Sequence, residues 1–201
     1  MRILIPARAG SKGWPGKNRS LFSKTAEIIP AGLYDQVDVF TNDGVIKSIG
    51  RNYGFNIVPR TEWAAKDEST TKEMMTEYTS HLTGNNTVVM LYVTYPDRAW
   101  HDVEQAIRIF GDNDLDSLLC KKEIKTSPYL MMYEEDKNRG RQIIPHNLSR
   151  RQDYPPVFEL SHYISIINTR CLDDLNNNLY NEDTYFMPIS DCRDVDSIWD
   201  M

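Results

Sequence analysis

Two clusters of residues have the types and spacing to do chemistry. The first is Pro6-Ala7-Arg8-Ala9-Gly10-Ser11-Lys12-Gly13-Trp14-Pro15-Gly16-Lys17-Asn18. Its glycines let backbone N–H groups come close to anionic oxygens. Arg8, Lys12 and Lys17 place positive charge around the same point, a combination that suits a polyphosphate. The stretch is neither of the two common phosphate loops. A Walker A loop needs GxxxxGK[ST]; here Gly10 and Gly16 are one residue too far apart, and Asn18 stands where Ser or Thr belongs. GxGxxG is absent as well. A tight structural turn is the plainer reading of the same glycines. The second cluster is Asp194-Val195-Asp196. In an extended segment both carboxylates point to one side, because the side-chain period is two. Two adjacent carboxylates repel unless a cation or a proton intervenes. Mg²⁺ commonly takes one or two carboxylates together with substrate phosphate oxygens. A solvated acidic edge is the alternative reading.

The charge distribution connects the two clusters. Six basic residues (Arg2, Arg8, Lys12, Lys17, Arg19, Lys24) precede the first acid, Glu27. From Asp173 onward there are eight acids and one base, Arg193. A cationic start suits phosphates and an acidic end suits a metal cation. The 201 residues carry a net charge of −6, so bulk duplex nucleic acid is not an expected partner. With 40% apolar and 26% charged residues the chain reads as one globular domain, not a disordered tail, a fibre or a coiled coil. The longest strongly apolar run, residues 88–93, is far short of the ~20 residues needed to span a bilayer. The start has no apolar region of signal-peptide length. Three dispersed cysteines without CxxC spacing argue against a disulfide framework and against a zinc site. No membrane association and a reducing, cytoplasmic setting are the expectation.

Strand-like and helix-like segments alternate and must position both clusters. Residues 2–7 form a buried strand that delivers the glycine loop. Residues 37–41 form a second strand. Asn42 caps a helix running to about Tyr53, with Gly54 as its stop. A short strand covers 55–58. Thr70 with Glu73 makes a capping box for a helix carrying Met74, Tyr78 and Leu82, closed by Gly84. A central strand covers 87–93. Val103, Ile107 and Phe110 mark a helix ended by Gly111, and a strand follows at 116–120. This β-α-β rhythm predicts an α/β fold with a mixed, mostly parallel sheet. It breaks at residue 123, and residues 123–160 read as a β-rich insertion containing a hairpin. Strands return at 162–167 and 185–189. The four histidines have no evident partner in sequence and read as surface or loop residues.

The stretch IPARAGSKGWPGKN resembles the opening motif of the CTP-dependent sugar-acid cytidylyltransferases. That family includes the acylneuraminate (CMP-sialic acid) and Kdo enzymes, and the acylneuraminate branch is the more similar. The segment at 60–70 is similar to the family's RPxxLAxDxxxT, and residues 91–98 occupy the place of LQPTSPLR. Ser127-Pro128-Tyr129, Arg150-Arg151-Gln152-Asp153 and Asp194-Val195-Asp196 have counterparts in the same order. The resemblance implies a GT-A-like nucleotidyltransferase fold, a homodimer built through the insertion, and transfer of CMP from CTP to an acidic sugar with release of pyrophosphate. It implies that Arg8, Ser11, Lys12 and Lys17 hold the CTP phosphates, with Arg8 and Lys17 acting in catalysis. Asn18 falls on the ribose side and Arg60 near the cytosine. Asp194 and Asp196 match the Mg²⁺-binding aspartates, and Arg151 and Gln152 fall where the sugar pocket and dimer contact are shaped. The departures lie on the acceptor side: Tyr92 and Tyr95 replace Gln and Ser, and Ser161-His162 replaces Asn-Gly before the late strand. The helix-bearing segment after Asn18 reads as reduced, over residues 20–32, and the family's final helix as missing. Two further readings remain open: transfer from another nucleotide or to another sugar such as Kdo, and a non-catalytic nucleotide-binding relative.

Overall fold

Ile3, Leu4 and Ile5 are consecutive apolar residues, and such a run is stable as a strand only where both of its faces are covered. In the computed structural model, which describes residues 1–124, 126–190 and 192–200, they lie fully buried in strand β1 (Arg2–Pro6). The following elements are α1 (Lys17–Glu27), β2 (Val37–Thr41), α2 (Gly44–Tyr53), β3 (Asn56–Pro59), α3 (Thr71–Thr79), β4 (Thr87–Met90) and α4 (Trp100–Asp112). After them come β5 (Ser117–Glu123), β6 (Met132–Glu135), β7 (Arg139–Gln142), β8 (Phe158–Asn168) and β9 (Tyr185–Pro188). Seven strands form one sheet in the order β3-β2-β1-β4-β8-β5-β9. All pairings in it are parallel except those of β8, which runs antiparallel to β4 and β5. The expected α/β fold is the one observed. The β6–β7 hairpin stands apart as a second, antiparallel sheet within the segment between β5 and β8.

The chain runs outward from β1 to β2 and β3, then returns to lay β4 on the other side of β1. That reversal opens a crevice at the carboxyl ends of β1 and β4, the usual ligand position in open α/β sheets. Both sheet faces are packed. One carries Leu21, Phe22, Ile46, Val103 and Phe110 from α1, α2 and α4. The other carries Met74, Met75 and Tyr78 from α3, with Phe40 and Leu172. Beneath β1, the Tyr78 hydroxyl donates to Asp38 Oδ2 at 2.7 Å, and Arg2 pairs with the same buried carboxylate. Burial of the hydroxyl, and then its bond to that carboxylate, push the Tyr78 pKa up.

Several local expectations are corrected. Helix α2 is capped by Asp43, whose Oδ1 accepts from the N–H groups of Val45 and Ile46. Asn42 is used elsewhere: its Oδ1 accepts from Ala9 N–H and its amide donates to Glu62. The segment after Asn18 carries α1, which begins at Lys17 and runs for 11 residues. The capping box at Thr70 and Glu73 forms as expected, but α3 ends at Thr79, short of Leu82 and Gly84. Strand β4 stops at Met90, so residues 91–96 leave the sheet at the crevice. The late strand β8 starts at Phe158, not at His162, so Ser161 lies inside it as well.

Candidate active site

The loop after β1 is shaped by glycines in two different ways. Gly10 and Gly16 sit at φ +75° and +80°, a region that strains residues with a side chain. Gly13 is needed for space, since a Cβ there would meet the Asp196 carbonyl oxygen at 2.8 Å. The loop therefore packs directly against the distant Asp194–Asp196 segment. That segment is itself tied to the stretch that follows β4, because Val195 is buried and its N–H donates to Thr94 O at 2.8 Å. Asp194 and Asp196 flank Val195 and are both exposed, as the period of two predicts.

Lys17 opens α1 with its side chain only 9% exposed, and its Nζ lies 3.1 Å from Asp196 Oδ1 and 3.5 Å from the Asp196 carbonyl oxygen. Arg8 donates from Nη1 to Ala65 O at 2.8 Å and pairs through Nη2 with Asp67. Lys12 Nζ reaches the other oxygen of the same carboxylate at 2.8 Å. Lys12 and Arg8 together hold Asp67 below the usual carboxylate range, and Asp67 raises Lys12. Asn18 donates its side-chain amide to Arg8 O at 2.9 Å, which fixes the loop's turn. Arg60 lies over the Phe40 ring and donates from Nε to Ala64 O at 3.1 Å. Burial lowers its pKa.

Arg8, Ser11, Lys17, Asn18 and Arg60 line one cavity of about 220 Å³ at the carboxyl ends of β1 and β4. Lys12 lines an adjoining shallow depression with Arg8, Ser11 and Asp67. Asp194 and Asp196 line neither; Asp196 reaches the cavity only through Lys17. Thr70, Thr71 and Tyr92 complete the cavity wall. A larger cavity of about 590 Å³, between the start of α4 and the loop after β9, contains none of the sequence-predicted residues. Converging cations make the smaller one the candidate site.

On the far side of the cavity the polar groups are held by rings. The Tyr92 hydroxyl donates to Thr71 Oγ1 at 3.4 Å, and its ring meets His162 edge-on at 5.8 Å. Burial lowers the His162 pKa, opposed by the charge of Asp194. His162 Nδ1 shares a hydrogen bond with Ser165 Oγ at 3.0 Å. His162 is thus a half-buried strand residue, and His146, whose Nε2 lies 2.6 Å from Tyr129 O, also has a partner. The expectation that the histidines are surface or loop residues is corrected for His162 and holds for His146, which lies in the loop after β7. Tyr95 is buried, accepts from Ser161 Oγ at 3.3 Å and packs edge-on against Tyr163.

Two residues at this site carry no expectation from sequence. Asp67 is the carboxylate shared by Arg8 and Lys12. Arg98 is buried between the rings of Tyr95 and Tyr163, donating to Tyr163 O at 2.7 Å and Tyr92 O at 2.8 Å. Burial pulls its pKa down to about 10. Its position in the segment resembling LQPTSPLR was the available signal; nothing local in the sequence assigns it the task of holding the Tyr92 backbone. Gln152 lies in a short 3-10 turn, Arg151–Asp153, of the insertion. The side chain of Arg151 lies outside the described residues.

No family model matches the chain. Among curated proteins, the N-acylneuraminate cytidylyltransferase of Streptococcus agalactiae serotype III (strain NEM316) is 29% identical over 176 residues. That alignment covers 82% of this chain and 42% of the relative. The enzyme of the same name from Escherichia coli O18:K1:H7 (strain RS218 / NMEC) is 27% identical over 114 residues, 53% of this chain and 27% of that one. The chain is thus similar to the N-acylneuraminate cytidylyltransferases over most of its own length. It spans about two fifths of the length of the Streptococcus relatives it matches. The solved structure of CMP:2-keto-3-deoxy-manno-octonic acid synthetase complexed with CTP superposes with a TM-score of 0.67 at 16% identity, over 98% of this chain and 92% of that one. The 4-diphosphocytidyl-2C-methyl-D-erythritol synthase of Anaerococcus prevotii DSM 20548 gives 0.64 at 10% identity, over 100% and 94%. These likenesses identify the fold as that of the nucleotidyltransferases.

Proposed function

We propose that the chain transfers CMP from CTP to an acidic sugar, a sialic-acid-like nonulosonic acid, and releases pyrophosphate. The observation that carries this reading is the convergence of Arg8, Ser11, Lys17, Asn18 and Arg60 on one cavity. Residues 1–201 act in it as one cytidylyltransferase-like domain with an insertion at 123–160. A hydroxyl oxygen of the acceptor bonds to the α-phosphorus, the bond to the β-phosphate oxygen breaks, and the hydroxyl proton goes to solvent. Such a reaction needs positioning and neutralisation of charge more than covalent help from the protein. Arg8, Lys12 and Lys17 hold the phosphates and stabilise the departing pyrophosphate, and Ser11 donates a hydroxyl to them. Asn18 faces the ribose and Arg60 the cytosine.

Asp194 and Asp196 suit Mg²⁺. They flank a buried Val195 on the exposed side of one extended segment, and no group of three or more metal-ligating side chains forms among the described residues. A pair of carboxylates supplemented by phosphate oxygens and water is the donor set Mg²⁺ accepts. Mg²⁺ bound there supplies Lewis-acid polarisation of the α-phosphate, an effect of several kcal/mol. The chain's own contribution is the Lys17–Asp196 contact, which couples the phosphate-binding helix to the metal-binding segment.

The insertion suits a homodimer contact. Leu130, Met132, Tyr133 and Phe158 are large apolar residues left exposed there, Met132 by 64%, more than a water-facing hairpin needs. Met132→Glu with Phe158→Glu is expected to convert a dimer into a monomer in light scattering; an unchanged mass would remove this surface from the contact. Among the described residues no helix is long and apolar enough to cross a membrane. Cys120 and Cys171 are buried thiols, which suits a reducing, cytoplasmic setting.

The test is pyrophosphate release from CTP and Mg²⁺ with neuraminic, legionaminic, pseudaminic and Kdo acids, with Asp196→Ala as control. Release with one acid, abolished by the substitution, is the expected result. A thermal-shift panel of CTP, UTP, GTP and ATP checks the base, since ligand at 100 times Kd adds ~2.7 kcal/mol of stability. Preference for UTP, or binding without turnover on any acid, would overturn the assignment.

A further inference from the structure

Among the described residues, Asp67 is the carboxylate that ties up both outer cations of the anion site. It pairs with Arg8 through one oxygen and with Lys12 through the other. A triphosphate and Asp67 therefore compete for the same two positive groups. The surroundings suit exchange rather than permanent pairing. The Asp67 side chain is 29% exposed and lies outside helices and strands. Its loop is fixed without it: Ala65 N–H donates to Thr61 O, Ser69 N–H to Lys66 O, and Ser69 Oγ to Trp63 O. Arg8 also keeps a second anchor, its Nη1 bond to Ala65 O. The carboxylate can rotate toward water while the loop and the Arg8 guanidinium stay in place. Lys17, by contrast, is paired with Asp196 and leaves Asp67 untouched.

We propose that Asp67 is an exchangeable counter-ion: it holds Arg8 and Lys12 in register, yields them to the incoming polyphosphate, and returns to them as pyrophosphate leaves. This rests on the anion-binding part of the reading above and is independent of the base and the acceptor. Asp67 acts here as a positioning residue that weakens binding of the polyphosphate and speeds departure of the product. Exposed ion pairs are individually weak, so removing two of them at once is expected to tighten polyphosphate binding by roughly 5- to 10-fold.

The probe is inorganic tripolyphosphate, titrated calorimetrically into the full chain at low ionic strength. Asp67→Asn, which keeps the side chain's shape, is expected to bind it roughly 5- to 10-fold more tightly than the unmodified protein. Lys12→Gln is expected to cost more affinity in the Asp67→Asn background than alone, because Lys12 is then committed only to phosphate. Pyrophosphate should inhibit Asp67→Asn at lower concentration. Equal or weaker tripolyphosphate binding by Asp67→Asn overturns the proposal, as does absence of binding in both proteins. Asp67→Ser repeats the comparison if the Asn variant unfolds early. If the tripolyphosphate result holds but CTP binds no better than ATP, the counter-ion stands and the cytidine assignment fails.

Discussion

In the loop after β1 and at the start of α1 the cations meet acids: Arg8 and Lys12 share Asp67, and Lys17 holds Asp196. Beyond β4 the polar groups are set among rings instead. Tyr92 packs against His162, and Arg98 lies between Tyr95 and Tyr163. The first region works through charge that a phosphate can take over. The second works through shape, since a ring cannot be displaced without opening a void. The cation region resembles the cytidylyltransferase pattern and the ring region departs from it. Under the proposed function, a shared donor with a changed acceptor would account for both.

The largest effect should come from the sheet that carries both regions, at the buried Asp38 of β2. Asp38→Ala leaves the buried Tyr78 hydroxyl and Arg2 without their shared partner. It should cost about 3 kcal/mol in urea unfolding. A loss below ~1 kcal/mol would show that water replaces the carboxylate and that this support is dispensable.

Next is the buried cation itself. Lys17→Ala should lower turnover by ~10- to 100-fold without unfolding the protein, the loss of one charge-assisted contact in the transition state. Unchanged kinetics would confine the charge-based region to Arg8 and Lys12.

The comparison sharpens with a substitution on the other side. Tyr92→Gln combined with His162→Gly should change the preference among acidic sugars by about tenfold, while KM for CTP stays within about threefold. A comparable rise in KM for CTP would mean that the two regions form a single pocket.

The smallest effect is a pH dependence. The folded pKa of Asp67 is depressed by Lys12 and Arg8, with Glu68 facing the same lysine. A depressed carboxylate stabilises the fold above its unfolded value, near 3.8. That stability disappears as pH falls through the folded pKa. The difference in melting temperature between the unmodified protein and Asp67→Asn should therefore be present at neutral pH and vanish below that range. A difference that persists in acid would assign it to packing.

Much of the scaffold is readable locally. The run Ile3-Leu4-Ile5 forces a buried strand, Thr70 with Glu73 starts a helix, and Gly54 stops one, because each depends on neighbours a few residues away. Misplaced details are those where a side chain had a competing distant partner. Asn42 could cap α2 by its position, but Ala9 and Glu62 claim it, and Asp43 takes the cap. Ser161 and His162 fall inside β8 because pairing with β5 extends that strand well before its apolar core.

The site divides along the same line. A cationic glycine loop after a buried strand, and two acids at a spacing of two, follow from residue types and short spacing alone. Asp67 meets Arg8 only because the loop before α3 folds back over β1, and Lys17 meets Asp196 across 179 residues of chain. Such pairs depend on strand order, and the return of β4 beside β1 is a choice made by packing both faces of the sheet at once. Sequence could name the charges; only the closed fold assigns each one its partner, because charge acts over a few ångströms and the chain brings those atoms together only when it is folded.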